Sequence, residues 1–406
     1  MERDVGARIR LIREAVGLQA QDLAARVHLD PTAISKIENG KRAIKAVELT
    51  RIADALKVSP LALLEDDPLL SNLPLAARRA GSSIARGEAY GRLLALSELH
   101  VVLAQAGIPT TPNLASVPEI AGLSWLDGAR RLADWACREL RIEDEGDQRL
   151  GAVANAIEGK LKVDVLIEPY PDDALSGAAI TDRSFPLIFV NSEFPRARSL
   201  FTLAHELGHI LAGHADDPIT LDRELSGSTD GERMANAFAA MYLMPEDQIL
   251  SEIADRGRKV STLAYLTYVL GVSYESLIYR LHNLQLINAE GRDKLKAISW
   301  QQISSLLEDS ELLSRGQIGR LQYRRTARPA SRPPALLLQR AWDGFRKGII
   351  SIRPLAGLMH VGPDQLLDQI EANGDSQVSI EEADSSDFSE TDITEPAEEL
   401  FGGNPV

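Results

Sequence analysis

Residues 200–214 read LFTLAHELGHILAGH and hold three of the chain's seven histidines. His205 and His209 are four apart, so on a helix they share one face and can aim two imidazoles at one metal ion. Glu206 sits beside the first histidine, placed to reach a water on that ion. Zinc held in this way lowers the pKa of such a water to about 7, and a neighbouring carboxylate can take its proton: the chemistry of hydrolysis. The competing reading is a chance match on a polar helix. The flanks suit a buried site instead, because Phe201, Leu203, Ala204, Leu207, Ile210 and Leu211 supply apolar packing. Gly208 lets a second backbone come close.

A catalytic zinc needs a third protein ligand. His214 is one candidate. The three-histidine pattern H-E-x-x-H-x-x-G-x-x-H would require Gly at 212 and His at 215, where this chain has Ala212 and Ala215. Nine residues on from His205, His214 is turned by about half a circle and should face away. Glu232, in GERMANAFAAMYLMP, is the second candidate. Asn236 follows it by four residues on the same face and can hydrogen-bond a ligand from behind. Glu232 would also suit a helix N-terminus for its own sake. Glu224 is a further, weaker rival.

The elements that must position these residues follow from the pattern around them. KVDVLIEPY and FPLIFVNS are short β-branched runs bounded by turn residues, hence strands, and the histidine helix follows the second. DGARRLADWACRELRI…AVANAIEG before them predicts one or two amphipathic helices. TDGERMANAFAAMYLMP predicts a strong helix ended at Pro245, and TLAYLTYVLGVSYESLIYRLHNLQLI two more around Gly271 and Val272. Residues 66–126 read as mostly helical, broken at DDPLL and GIPTTPN. Residues 290–370 read as helical around a basic, proline-rich turn or linker, RTARPASRPPA.

Residues 5–64 form a different unit of closely spaced helices. ARIRLIREAVG carries Ile9, Ile12 and Val16 at helical spacing and stops at Gly17. DPTAISKIENG has Asp30 as N-cap, Pro31 at the first helical position and Gly40 past the end. Leu23, Ala24, Val27, Ile34 and Ile37 make the apolar faces of a helix-turn-helix. The outer face of its second helix carries Thr32, Ser35, Lys36 and Asn39, suited to base edges and phosphates, and Lys41 and Arg42 follow as phosphate contacts. The alternative is a small helical bundle with a solvated polar face.

Charge neither makes nor breaks that reading. The net charge of −15 is concentrated: residues 371–406 hold eleven Asp or Glu and no Lys or Arg, which leaves −4 for the rest. The first 65 residues hold eleven basic and nine acidic side chains, too even a balance to indicate DNA binding by itself. The acidic end, low in apolar residues, is expected to be disordered. A single cysteine, Cys137, excludes a disulfide framework or a cysteine-based zinc site within the chain. A charged start without an apolar core and no run of about 18 apolar residues point to a soluble, cytoplasmic chain with no membrane partner.

Two resemblances sharpen this reading. RARSLFTLAHELGHILAGH, followed by GERMANAFAAMYLMP, resembles the ImmA/IrrE family of zinc metallopeptidases. The likeness rests on a strand ending in Asn191, the approach through Arg198, the A-H-E-L-G-H core and the E-x-x-x-N-x-F-A-x-x-x-L-M-P helix. LGVSYESLIYRLHNLQLI fits the helical hairpin that comes next, so the likeness spans roughly residues 127–288. It implies Zn2+ held by His205, His209 and Glu232, with Glu206 as general base and Asn236 behind the ligands. Residues LAARVHLDPTAISKIENGKRAI…ELTRIADALKVSPLALL resemble the XRE (Cro/C1-type) helix-turn-helix family. Where that family carries Ser-Gln at the start of its first motif helix, with the Gln on a phosphate, this chain has Gln19-Ala20, leaving Gln21 to substitute.

The expectation is a multidomain, mostly α chain with a small β-sheet. Residues 1–66 form a five-helix DNA-binding bundle, 67–126 a helical connector and 127–288 an α+β zincin-like metallopeptidase domain. Residues 289–372 form a helical C-terminal region and 373–406 the acidic tail. The function expected is a regulator that binds an operator, as a homodimer by analogy, and cleaves a repressor or other regulatory protein. The runner-up is a repressor or antitoxin whose zinc domain is a non-catalytic sensor or dimerisation module. Tyr242, His214 and Arg198 are the residues considered for stabilising the oxyanion.

Overall fold

The computed structural model describes residues 2–15, 18–56, 58, 60–64, 84–142, 146–170, 175–182, 184–213, 219–222 and 229–373. His214, Glu224, Val16, Gly17, the DDPLL break and the acidic tail beyond residue 373 lie outside them. Among the described residues no helix is long and apolar enough to cross a membrane.

The first five helices are α1 (Glu2–Ala15), α2 (Ala20–Val27), α3 (Pro31–Glu38), α4 (Ala46–Leu56) and α5 (Pro60–Leu64). Ile9, Ile12, Leu23, Ala24, Val27, Ile34, Ile37, Ile52 and Leu56 are all buried, as their helical spacing predicts. Asp30 caps α3, accepting from the Thr32 backbone N–H at 2.8 Å, with Pro31 in the first turn. Gly40 takes φ +63° just past the helix end, where a side chain would be strained. Two features were not legible in the sequence. The Arg13 guanidinium binds both Glu38 oxygens at 2.6 and 3.0 Å, and its third arm donates to the Leu18 carbonyl at 2.7 Å. A Cβ on Gly6 would lie 2.1 Å from the Ile37 carbonyl oxygen, so only glycine lets α1 approach α3 this closely.

A long helix, α6 (Ile84–Gln105), is followed by turns rather than by further helix until α7 (Trp125–Glu139). The connector is therefore less helical than its composition suggests. Then come α8 (Arg149–Ala156), a π turn (Ile157–Leu161), and strands β1 (Asp164–Glu168), β2 (Gly177–Ile180) and β3 (Leu187–Asn191). The histidine helix is α9 (Arg196–Ala212), followed by β4 (Ile219–Asp222) and α10 (Asp230–Leu243). The strand order is β1-β3-β2-β4, with β1 and β3 parallel and the other pairs antiparallel.

Strands β1 and β3 are the two runs expected from their β-branched residues; β2 and β4 were not anticipated. The sequence of β2, GAAI, has little β-propensity, and the reason is the helix above it. A Cβ on Gly177 would lie 2.3 Å from Thr202 Cγ2 and 3.3 Å from Glu206 Cγ. Small residues here let α9 lie directly on the sheet. On its other side α9 meets α10, where a Cβ on Gly208 would lie 3.2 Å from the Ala235 Cα. A third helix, α7, packs against α10. One continuous core joins α7–α10 to the sheet, through residues such as Leu132, Val190, Leu203, Leu207 and Phe238.

The later helices are α11 (Glu246–Arg256), α12 (Val260–Leu270), α13 (Tyr274–Asn283), α14 (Ala289–Lys296), α15 (Trp300–Ser310), α16 (Arg315–Arg324), α17 (Ala335–Arg346) and α18 (Ile352–Leu358). The helix α19 (Pro363–Asn373) belongs to a separate unit that starts at Val361. The proline-rich stretch between α16 and α17, expected to be a turn or linker, lies along the sheet instead. Arg332 and Ile167 exchange both backbone hydrogen bonds, at 2.7 and 2.9 Å. The Arg332 guanidinium donates to the Val165 carbonyl, the Asn155 side chain and Glu158. Pro329, Pro333 and Pro334 lack N–H donors, so the contact stops at one bridge and closes the outer edge of β1 without extending the sheet. Pro334 cannot cap α17 with a side chain. Glu158 and Asp164 do so from the sheet side, accepting from the Ala335 and Leu337 N–H groups at 2.9 and 3.0 Å. Burial pushes the Asp164 carboxyl up to about 7.

Gly177→Ala is expected to lift α9 from β2 and cost about 1–3 kcal/mol of stability, the usual scale of overpacking. Chemical denaturation of the two proteins measures it; equal midpoints would show that the close contact is not required.

Candidate metal centre

Helix α9 is the innermost helix of its domain. His205 and Glu206 are fully buried and His209 is 3% exposed. Burying three ionisable groups in an apolar core is costly unless they compensate one another. The structure shows how they do. His205 Nε2 and His209 Nε2 face each other at 3.1 Å. The Glu232 oxygens lie 3.3 Å from the first and 3.4 Å from the second. His205 Nδ1 lies 3.0 Å from Asn236 Oδ1. An amide oxygen only accepts, so Nδ1 carries a proton, leaving Nε2 as the atom that can offer a lone pair to a metal ion.

Glu232 is delivered by the start of α10. Thr229 caps that helix, its hydroxyl oxygen accepting from the Glu232 N–H at 3.3 Å. The sequence Thr-Asp-Gly-Glu is the pattern of a capping box, in which the glutamate would reach back to the cap. Here the carboxylate faces the imidazoles instead. Burial raises the affinity of Glu232 for a proton, but hydrogen bonds and charge from the imidazoles, which a bound cation would replace, outweigh it and hold the carboxyl well below the usual carboxylate range. Its side chain is 28% exposed, so the group meets solvent on the α10 side.

The donor set fits a small divalent cation. All three ligand atoms lie within 4.8 Å of one another. Bonds of about 2.0–2.1 Å in a tetrahedral arrangement set neighbouring donors about 3.3–3.4 Å apart. The 3.1 Å between the two Nε2 atoms and the 3.3 Å from His205 Nε2 to Glu232 Oε2 are near that spacing, while His209 Nε2 lies 3.4 Å from the other carboxylate oxygen, Oε1. Two facing imidazole lone pairs and a carboxylate would repel unless a positive charge lay between them. Glu206, next on the helix, runs over β2 beside Gly177.

Of the residues considered for the oxyanion, Tyr242 is engaged elsewhere: its hydroxyl donates to the Leu140 carbonyl at 3.1 Å and its ring stacks on Phe238. Arg198 sits in the first turn of α9, its guanidinium 3.9 Å from the centre of the Phe194 ring. Asn191, which closes β3, satisfies the crossing loop. Its side chain donates to the Tyr170 and Leu175 carbonyls and accepts from the Tyr170 and Glu193 N–H groups.

In the N-terminal unit, Gln21, Thr32, Ser35, Lys36, Asn39 and Lys41 are exposed. Thr32 is partly occupied, donating to Asp30, and Asn39 donates to the Ser35 carbonyl. Arg42 is half-buried and paired with Glu48 at 2.7 Å, so its charge is less available to a phosphate than that of Lys41. The Arg13–Glu38 pair, both side chains under 10% exposed, fixes α3 to α1.

Comparison with known proteins finds a match for each of the two parts of the chain. Residues 9–63 match the Helix-turn-helix family and residues 158–282 match the IrrE N-terminal-like domain family. The chain is 33% identical over 107 residues to a protein of Deinococcus radiodurans named radiation response metalloprotease IrrE. The match takes in 25% of this chain and 32% of that protein, so it spans about a third of the relative's length. The chain thus carries an XRE-type helix-turn-helix domain followed by an IrrE/ImmA-like metallopeptidase-family domain.

Truncating one partner of a buried ion pair leaves the other charge without compensation, at a cost of about 3–5 kcal/mol. Glu38→Ala is therefore expected to loosen α3 selectively. Amide exchange across residues 31–38 should accelerate while exchange in α9 and α10 stays unchanged; unaltered exchange in α3 would show that the pair is dispensable.

Proposed function

We propose that the chain is a DNA-binding transcriptional regulator with a zinc-dependent endopeptidase built in, one that cleaves a repressor or other regulatory protein. The observation that carries the peptidase half is the convergence of His205, His209 and Glu232, with ligand atoms within 4.8 Å of one another, one residue from a fully buried glutamate. His205 Nε2, His209 Nε2 and a Glu232 oxygen would hold the ion, and nitrogen-rich donors favour zinc over magnesium or calcium. Zinc, when bound, supplies Lewis-acid activation of water and of the scissile carbonyl. Asn236 fixes the His205 tautomer. Glu206 takes the proton of the attacking water and returns it to the leaving amine. The name of the Deinococcus relative supports hydrolysis as the chemistry.

The DNA-binding half rests on the outward face of α3. Lys36 and the short polar residues around it read the major groove, and Gln21 and Lys41 hold phosphates. Arg42 adds less, because Glu48 already binds it. Such domains bind palindromic sites as dimers, so a homodimer on its operator, in the compartment that holds the DNA, is part of the proposal.

Purified protein is expected to carry about one zinc per chain, and His205→Ala with His209→Ala to lose it, as elemental mass spectrometry reads. Glu206→Gln should keep zinc and DNA but lower proteolysis at least about 10²-fold, the lower scale of general-base catalysis. A Glu206→Gln protein that regulates its target promoter as the native chain does would instead make the zinc domain a non-catalytic sensor or dimerisation module. For DNA, Lys36→Ala should relax sequence preference. Lys41→Ala should weaken all sites alike and reduce the salt slope by about one. Unchanged footprints and salt slopes in both would remove α3 from the interface.

A further inference from the structure

A cavity of about 480 Å³ opens at the N-terminal end of α9. Its walls are the first turn of α9, the junction between α12 and α13, and residues 296–303 and 321–325. Its body is apolar, lined by Leu150, Leu200, Val272, Ile303 and Leu321. Its charge is one-sided. Arg196, Arg198, Lys296, Arg324 and Arg325 face a single carboxylate, Glu275, which Lys296 already binds at 2.6 Å. Arg325 stacks 4.9 Å from the centre of the Trp300 ring, as Arg198 stacks on Phe194. Neither arginine has a carboxylate partner among the described residues.

A second observation is independent of charge. Tyr274 and Trp300 both line this cavity, and Tyr274 Oη and Trp300 Nε1 are buried without a hydrogen-bond partner. Buried polar atoms left in this way are rare in folded proteins, and no acceptor for these two lies among the described residues. Burial pushes the Tyr274 hydroxyl up to about 12. The α9 N-cap is Pro195, with no side-chain cap bond, and the positive end of the helix adds to the same sign of charge. Arg198 precedes His205 by seven residues, about 10 Å along the helix, and none of the cavity's lining residues is among the three that could hold the metal.

The geometry points to a binding site for a small anionic molecule with a flat apolar body: a carboxylate or phosphate monoester carried on an aromatic ring. Cavities of about 300–1,000 Å³ with apolar walls and a few convergent polar groups are the usual form of small-molecule sites. Arg325 and Arg198 take the anion, and the ring lies against Leu200, Val272 and Ile303, with the Tyr274 and Trp300 rings as further walls.

The test titrates phenyl phosphate and indole-3-acetate into the full chain, with benzyl alcohol as the uncharged control. Calorimetry is run with and without a chelator, because a phosphate can also bind a metal. Saturable binding of at least one anion is expected, unaffected by the chelator and about tenfold or more tighter than the alcohol. Arg325→Ala should weaken it about tenfold or more, and Ala197→Trp, which fills the cavity, should abolish it. In the unaltered chain the bound anion should slow amide exchange at residues 196–200 and 271–275, a readout that does not depend on any variant folding. Absence of saturable binding by both anions, loss of binding with chelator, protection elsewhere, or equal affinity for benzyl alcohol would each overturn the proposal.

Discussion

The whole domain is arranged around one constraint: α9 must be buried on nearly every side and still carry His205, Glu206 and His209. An apolar interior does not tolerate isolated charge, so these groups need partners fixed in place before they are worth burying. Glu232 supplies the negative charge and Asn236 the acceptor that sets the tautomer of His205. Each comes from α10, a single helix whose phase is set by Thr229 at its cap. The two helices must therefore meet at short range. Gly208 permits that against α10, and Gly177 permits it against the sheet.

The sheet acts as a floor for this arrangement, and its edges are protected. Arg332 closes the outer edge of β1 with one backbone bridge, and its side chain ties β1 to the π turn before it. Glu158 and Asp164 then reach across to the N-terminus of α17. A stretch rich in arginine and proline, which looks like a spacer, thus joins the C-terminal helices to the sheet. Its prolines serve a second purpose, since an edge without donors cannot recruit a further strand.

In the N-terminal unit the same economy appears on a smaller scale. Asp30 starts α3, Gly40 ends it, and the Arg13–Glu38 pair sets its angle against α1. The exposed side of α3 is left with Lys36 and short polar groups, so the low net charge of the unit is no obstacle to DNA. What matters is where the positive charge projects, and the neutralising carboxylates Glu38 and Glu48 are turned inward.

The sequence by itself determined the local features. Four-residue spacing put His205 with His209 and Glu232 with Asn236, and cap residues marked α3. Short β-branched runs bounded by turn residues marked β1 and β3, because these signals act within a few residues. Only the tertiary structure decided that Glu232 faces the imidazoles and not its own cap, that GAAI is a strand, and that Tyr242 is bound to Leu140 and not to the site. It also decided that RTARPASRPPA holds β1 and that Arg13 meets Glu38. Each of these depends on groups far apart in the chain. Local propensity is overridden wherever a long-range contact settles the larger free energy, here the close packing of α9 and the pairing of charges buried with it.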